Sequence, residues 1–213
     1  MNMQPYQHLK PYAELGCSNI VVIQKEVIAW IKNNTDYLTN EENPHLDITV
    51  DTIDLVKQCP SVVKFCKDVG VPIKELQLTI IPKHRDIQTP LPLHVNEVGQ
   101  NFKINIPILN TNKRFITEWY DVPVEDLNKY PTFRREYWRE WEPPMIDLRT
   151  LDPVVGTKYP LAASYSMVDT PIVFNACYPH RVIHDNYTSA VFPRILLSVM
   201  PVKEESLIKY LKK

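Results

Sequence analysis

Two histidines and an asparagine in the second half of the chain have the types and spacing of metal ligands. His94 and Asn96 lie two positions apart in the segment LPLHVN, and residues two apart on a strand share one face of the sheet. The distant His180, in YPHRVIH, could complete a three-point site. Two imidazoles and one oxygen ligand leave coordination positions open, as a non-haem iron requires to bind oxygen and a co-substrate. We therefore predict His94, Asn96 and His180 as metal ligands and catalytic residues.

An arginine at the start of the apolar segment PRILLSV indicates a second binding function. On an extended strand Arg194, Leu196 and Ser198 share one face. A guanidinium that faces a protein interior is unfavourable without an anionic partner. A dicarboxylate is the natural candidate, because arginine binds carboxylates through two parallel hydrogen bonds and the Ser198 hydroxyl could add a third. The alternative is that Arg194 lies exposed on an edge strand.

Other residues compete for the predicted metal positions. His84 and Asp86 also form a His-x-Asp pair, although between a strand and a proline-bearing turn. Glu97 follows Asn96 directly and could supply a carboxylate in its place. His184 rivals His180, because the two lie four positions apart and share a face if the segment is extended. Taken singly, any of these histidines could instead be a hydrogen-bonded structural residue.

The elements that would hold these residues change in type along the chain. Apolar residues recur at helical spacing from Asn19 onwards, and a second helix is expected to begin near Asp51, to be interrupted at Pro60 and to end at Gly70. From Leu76 the sequence turns to short segments rich in β-branched and aromatic residues between turn residues, which is typical of strands. A short terminal helix follows the last strand. Helices first and strands afterwards predict an α+β fold.

We expect one domain, residues 1–213, because single domains commonly reach this size. A helical part would cover 1–75 and a strand-rich core 76–200. The segment 121–160 interrupts the strand rhythm with the Trp-, Tyr- and Arg-rich run YPTFRREYWREWEPP. It is expected to form an insertion, either a lid or an irregular excursion between strands.

Composition excludes several classes of function. The net charge of -1 disfavours bulk electrostatic binding to nucleic acid. Only four glycines are present, too far apart for a dinucleotide fingerprint or a phosphate loop. No apolar run is long enough for a membrane span or a secretory signal, so we expect a cytoplasmic protein without a membrane partner. The four cysteines have no C-x-x-C pair and are expected to be reduced thiols.

The strand segments together resemble a known enzyme superfamily. LPLHVN, KINIPILN, TEWY, DTPIVFNACYPHRVIH and PRILLSV resemble the motifs of iron(II)/2-oxoglutarate-dependent oxygenases over residues 76–200, in particular the small prolyl- and aspartyl/asparaginyl-hydroxylase-like proteins of phage and marine bacteria. The resemblance implies a double-stranded β-helix (a cupin-like jelly roll) with N-terminal helices packed on it. It also implies Fe(II) and 2-oxoglutarate as cofactors, and hydroxylation of a small molecule or a protein residue by molecular oxygen.

Carried over by position, the resemblance makes His94 and His180 iron ligands and Arg194 the residue that binds the distal carboxylate of 2-oxoglutarate. Asn105 and Tyr120 lie on intervening strands and, with Ser198, are expected to line the co-substrate pocket; ordinary barrel filling is the alternative for Asn105 and Tyr120. Trp119, Tyr165 and Asn175 are either further lining residues or ordinary barrel filling.

The sequence departs from the pattern at Asn96, where these oxygenases place aspartate. A neutral carboxamide is a weaker ligand than a carboxylate. Three explanations remain open: the amide ligates, a neighbouring acid replaces it, or the chain is a catalytically inactive jelly-roll binding or structural protein. A metal-dependent cupin of another reaction type is a further alternative, but such an enzyme has no need of Arg194 as a dicarboxylate anchor.

Overall fold

The protein combines six α-helices with twelve strands in the part of the chain that the structure describes, a computed structural model. The described residues are 8–34, 46–81, 91–96, 101–133, 145–148, 150–184 and 193–212. The helices are α1 (Ile20–Asn33), α2 (Thr52–Gln58), α3 (Pro60–Asp68), α4 (Val124–Leu127), α5 (Val155–Lys158) and α6 (Glu205–Leu211). The strands are β1 (Tyr12–Glu14), β2 (Leu46–Thr49), β3 (Ile73–Ile81), β4 (Leu91–Asn96), β5 (Phe102–Leu109), β6 (Phe115–Tyr120), β7 (Thr132–Phe133), β8 (Met145–Asp147), β9 (Leu161–Tyr165), β10 (Ile172–Asn175), β11 (His180–His184) and β12 (Arg194–Pro201).

All strand pairs are antiparallel, and they form two sheets of six strands each. The first sheet has the order β1-β10-β5-β12-β3-β2, and the second has the order β7-β8-β4-β11-β6-β9. From β3 to β6, and again from β9 to β12, the chain passes repeatedly from one sheet to the other. Helices together with antiparallel sheets confirm the predicted α+β class. Among the described helices, none has the length and apolar character required to span a bilayer.

The first sheet carries the main hydrophobic core on one face. Side chains from α1, α2, α3 and α6 pack there against alternate residues of β3, β5 and β12, such as Leu78, Ile106 and Leu197. Gln24 of α1 fixes this packing by donating a hydrogen bond to the carbonyl of Pro107, at 3.1 Å. Because strand residues alternate between faces, the remaining residues of these strands face the second sheet.

The space between the sheets holds the other faces of both. Trp119 of the second sheet packs with Ile172, Phe174 and Leu196 of the first, and we call the two faces that meet there the inner faces. The outer face of the second sheet is covered by a separate cluster that includes Leu93, Val95, Ile146 and Leu148, together with residues of α4 and α5. Both outer faces therefore carry buried apolar clusters, while the inner faces also carry polar groups.

The helix boundary signals of the sequence are confirmed. Asp51 caps α2 by accepting a hydrogen bond from the Asp54 amide at 3.0 Å, which satisfies one of the unpaired amides of the first turn. Pro60 stands at the first position of α3, where its missing N–H is tolerated. Gly70, with φ of 69°, lies just beyond this helix in the left-handed region that glycine accepts readily.

Four short strands were not predicted. β1 and β2 lie within the part expected to be helical, and they extend the two edges of the first sheet. β7 and β8 lie within segment 121–160 and pair beside β4 in the second sheet. This segment is thus partly built into the sheet, and the residues of its aromatic run from 134 to 144 lie outside the described part. Strands of two to four residues carry too little periodicity to be identified from sequence.

Leu197→Ala tests the core packing of the first sheet. Leu197 is fully buried on β12 between two other strands, so its truncation leaves a cavity and should lower the free energy of unfolding by about 2–5 kcal/mol, measured by urea denaturation. Leu161→Ala is the matched control, because Leu161 is 50% exposed on an edge strand, and its effect should stay within about 0.5 kcal/mol. Equal losses for both variants would contradict this placement of the core.

Candidate functional site

His94 and His180 stand opposite each other on neighbouring strands of the second sheet. β11 pairs His180 with His94 of β4 on one side and with Trp119 of β6 on the other. The two imidazole ring centroids are 4.2 Å apart, and the two residues are only 5% and 3% exposed. Since Trp119 lies on the inner face, directly opposed residues place both histidines there as well.

A backbone hydrogen bond fixes the tautomer of His180. Its Nδ1 lies 2.7 Å from the carbonyl oxygen of Tyr178, and because a carbonyl only accepts, Nδ1 carries the proton and donates. Nε2 of the neutral ring then has a free lone pair, which is the state in which imidazole ligates a metal. Phe174 packs edge-on against the ring at 4.8 Å and restricts its rotation.

His180 is neutral in the folded protein. Burial lowers the pKa of its imidazole to about 3; the bond to Tyr178 acts in the opposite direction, and the positive charge of Lys103 lowers the pKa further. A neutral imidazole is available to a cation without first losing a proton. Burial disfavours the protonated form of the His180 imidazole, and it therefore keeps the ring in the neutral form that can bind a metal.

The third predicted ligand is less well defined than the two histidines. Asn96 ends β4 two residues after His94, opposite Met145, so its backbone position is on the inner face; its side chain lies outside the described part. Among the described side chains no group of three His, Cys, Asp or Glu residues could hold a metal. The competing candidates His84, Asp86 and Glu97 lie outside the described residues.

His184 is separated from the histidine pair. It faces the same side of β11 as His180 but four residues further along, about 13 Å at the usual strand rise. There it pairs with Phe115 in register, and the two rings meet edge-to-face at 4.6 Å. The register thus brings His180, and not His184, to His94.

Arg194 is a buried cation near the Phe115 end of the inner space. The residue is 1% exposed, and its Nε and Nη2 are buried without a hydrogen-bond partner among the described residues. Its guanidinium carbon lies 5.1 Å from the centre of the Phe115 ring, a cation–π contact that only partly replaces hydration. Burial lowers the pKa of Arg194 to about 10, so the side chain remains charged near neutral pH. The edge-strand alternative is wrong, because β12 lies between β3 and β5.

The histidine pair and the guanidinium approach the same inner space from different sheets. Along β6, Trp119 stands beside His180 and Phe115 stands beside Arg194. These two positions are four residues, about 13 Å, apart. A long arginine side chain and a short dicarboxylate could together bridge that separation.

Ser198 and Asn105 form a polar pair on the floor of this space. They are opposite each other on β12 and β5, both buried, and the Ser198 hydroxyl donates to Asn105 Oδ1 at 2.8 Å. Their row lies between that of Arg194 and that of Phe174 on the first sheet. Their contact with a co-substrate stays a prediction, with the serine hydroxyl already engaged by the amide.

Tyr120 is on the wrong face for its predicted role. It belongs to the outer cluster of the second sheet, and its hydroxyl donates to Glu118 at 2.6 Å and accepts from Arg181 at 2.9 Å. Arg181 also bonds Glu118 at 2.8 Å. Because neighbouring strand residues alternate between faces, only one of Trp119 and Tyr120 could face the inner space, and we no longer assign Tyr120 to the co-substrate pocket.

The three further candidate lining residues have different surroundings. Trp119 is fully buried beside His180, and its Nε1 has no hydrogen-bond partner in the described part of the chain. It stacks on Tyr12 at 5.3 Å, which in turn contacts Tyr165 at 4.6 Å. Asn175 instead holds a turn, since its side chain bonds the Cys177 amide and the carbonyl of Lys10. Asn175 is therefore structural.

Two aromatic neighbours of the site were missed from sequence. Phe174 contacts His180, and Phe115 lies under Arg194. Alternation along a strand divides its residues between the two faces of the sheet. Which of these faces is the inner one depends on how the strand pairs with its neighbours.

Comparison with known proteins gives only distant similarity. No family model and no curated protein matches the chain. Among solved structures it is similar to SnoN, described as a non-heme alpha-ketoglutarate-dependent epimerase of nogalamycin biosynthesis, at 11% identity over 89% of this chain and 75% of that one, with a TM-score of 0.49. SnoK, the corresponding carbocyclase, is similar at 12% identity over 93% and 83%, with a TM-score of 0.49.

A second structure of SnoN, in complex with Fe3+, alpha-ketoglutarate and nogalamycin RO, is similar at 12% identity over 89% of this chain and 78% of that one, again with a TM-score of 0.49. Similarity at this level carries no argument about the chemistry of this chain.

The ligand-free protein should gain stability when the buried charge is removed. Arg194→Met replaces a buried guanidinium, whose Nε and Nη2 have no hydrogen-bond partner among the described residues, by an apolar side chain. We expect the free energy of unfolding at pH 7 to rise by about 1–3 kcal/mol in urea denaturation. Arg181→Met is the matched control and should destabilise, because its guanidinium is paired with Glu118. A loss of stability in Arg194→Met would contradict the view that Nε and Nη2, which lack a partner in the described part of the chain, are unfavourably buried.

Proposed function

We propose that the protein is a non-haem iron(II), 2-oxoglutarate-dependent oxygenase. The observation that carries the proposal is the buried guanidinium of Arg194, whose Nε and Nη2 have no partner in the described part of the protein and which faces the same inner space as a pair of buried histidines. An unpaired buried cation is unfavourable. A site that retains one is suited to an anion that arrives as a ligand.

The strand order supports a double-stranded β-helix as the scaffold. The eight strands β3 to β6 and β9 to β12 form two sets of four neighbouring strands, one in each sheet. In the first sheet the order is β10-β5-β12-β3, and in the second it is β4-β11-β6-β9. Antiparallel strands that alternate between two facing sheets are the arrangement of a jelly roll. The helices on the outer face of the first sheet would stabilise this barrel without entering it.

His94 and His180 would hold the iron. Both are on the inner face, adjacent, and almost fully buried, and His180 presents the lone pair of Nε2 because its Nδ1 donates to Tyr178. Nitrogen ligands of this kind suit Fe(II), and two histidines leave positions for other ligands. When bound, Fe(II) and 2-oxoglutarate, with molecular oxygen as the oxidant, would supply oxidative decarboxylation of the co-substrate to succinate and carbon dioxide, coupled to hydroxylation of a C–H bond.

Arg194 would bind the distal carboxylate of 2-oxoglutarate through two parallel hydrogen bonds. This contact would orient the co-substrate toward the histidine pair and neutralise the buried charge. Phe115, whose ring lies 5.1 Å from the guanidinium carbon, would shield this charge pair from water, which strengthens it. Asn105 and Ser198 would form the wall between the two ends of the co-substrate.

The substrate is proposed to be a small molecule or a residue of a protein, hydroxylated as in prolyl and aspartyl/asparaginyl hydroxylases. Segment 121–160 would shape its access, because β8 from this segment lies directly beside β4.

Anaerobic titration tests this proposal. Adding Fe(II) and 2-oxoglutarate should produce the weak visible charge-transfer band of the ternary complex. Arg194→Met should weaken 2-oxoglutarate binding about 30-fold or more, since a lost buried charge pair costs about 2 kcal/mol or more, and should leave the bound iron unchanged. No band at saturating iron would contradict the proposal. Iron binding without the band would favour a metal-dependent cupin of another reaction type, and an unchanged band in Arg194→Met would contradict the role of Arg194 as the anchor of 2-oxoglutarate.

Asn96 favours a second candidate function, a barrel that binds ligands without catalysis. Under the main proposal the unmodified chain, with Fe(II), oxygen and ascorbate, converts 2-oxoglutarate to succinate, measured by chromatography. Asn96→Asp should then change the rate without creating the activity. If succinate forms only with Asn96→Asp, the second candidate function is correct: the unmodified chain is catalytically inactive because it lacks a carboxylate at position 96.

A further inference from the structure

Strand β8 brings an acidic residue to the position directly opposite His94. β4 lies between β8 and β11, and its residue His94 pairs with Asp147 on one side and with His180 on the other. The three residues therefore form one transverse row of the second sheet. Asp147 is 53 positions from His94 in the sequence but adjacent to it in the sheet.

The neighbours of Asp147 along β8 establish which face of the sheet its position belongs to. Ile146 and Leu148 both pack in the outer cluster with Leu93 and Val95, and Val95 pairs with Ile146 in register. Residues alternate between faces along a strand, so the position of Asp147 is on the inner face. Directly opposed residues have Cβ atoms about 4.5–5.5 Å apart, within the reach of two ligands of one metal ion.

We propose that Asp147 is the carboxylate ligand of the metal held by His94 and His180. This inference rests on the proposed function and specifies its metal site. A two-histidine, one-carboxylate set is the facial arrangement of non-haem Fe(II) sites. Here Asn96 occupies the position two residues after His94, and an aspartate on the adjacent strand supplies the charge that the amide lacks.

Charge in the inner space supports this assignment. The buried Arg194 guanidinium brings a positive charge into the inner space. A divalent cation would add further positive charge in a low-dielectric region, where uncompensated charge is strongly unfavourable. A carboxylate ligand and a dicarboxylate co-substrate together balance the metal and the arginine. On the neighbouring strand β6, Glu118 is not available for this, because it is paired with Arg181.

The assignment changes the role of segment 121–160. β8 would be part of the metal site, so substrate contacts made elsewhere in that segment would be connected by a short stretch of chain to a ligand of the metal.

Metal titration of the intact chain tests the assignment without recourse to activity. Co²⁺ replaces iron as the probe, because its visible absorption reports both affinity and coordination. Asp147→Asn should weaken Co²⁺ binding more than about 100-fold and alter the absorption bands. Residues that only orient a ligand contribute about 10–100-fold, so any weakening within or below that range would overturn the assignment. Asp121→Asn, at an exposed acid just after β6, is the matched control and should bind Co²⁺ as the unmodified chain does.

Two further measurements keep the test decisive if Asp147→Asn folds poorly. Adding Asn96→Asp to Asp147→Asn should restore Co²⁺ binding, because the carboxylate returns on the same face two residues from His94. A crystal structure of the Zn²⁺-loaded unmodified chain should show an Asp147 oxygen about 2.0–2.2 Å from the metal. A Zn²⁺ ion bound by both histidines without Asp147 would overturn the assignment.

The outcomes separate this inference from the proposed function. If His94→Ala and His180→Ala abolish Co²⁺ binding and Asp147→Asn does not, the oxygenase proposal stands and the Asp147 assignment fails. If the unmodified chain binds no Co²⁺ or Fe(II), both fail together.

Discussion

The register of β11 between β4 and β6 is the constraint on which the candidate site depends. It places His180 opposite His94 on one side and Trp119 on the other, so both imidazoles share one buried face. A slip of one residue would move His180 to the outer face and bring Arg181 inside. Burial opposes such a slip, because Val182, which is 5% exposed and shares the inner face of β11 with His180, would be moved out of the interior. Burial of an apolar residue on β11 thus helps to hold His180 opposite His94.

The electrostatics of the inner space follow from the same division of faces. Apolar residues of the first sheet are directed to the helices, and polar residues such as Asn105, Ser198 and Arg194 are left facing inward. Burial there keeps His180 neutral and leaves Nε and Nη2 of Arg194 without a partner among the residues that the structure describes. Under the proposed function, one group would bind a cation and the other an anion. The protein carries this arrangement at the expense of stability, as binding sites commonly do.

Segment 121–160 adds two strands, β7 and β8, to the second sheet at the edge formed by β4. This addition covers an edge that would otherwise expose unpaired backbone groups. It also brings the position of Asp147 into the row that contains both histidines. The same strand therefore completes the hydrogen bonding of the sheet and supplies the negative charge proposed for the metal site.

The sequence by itself determined the α+β class, the boundaries of the first helices, and three residues suited to the proposed chemistry, His94, His180 and Arg194. These follow from local signals: capping and turn residues, period-two alternation, and a charged residue within an apolar strand. Only the tertiary structure decided that His180 rather than His184 meets His94, that Tyr120 faces outward, and that Asp147 stands opposite His94. The physical reason is that face and register are set by pairing between strands distant in sequence, and a single strand does not specify its partner.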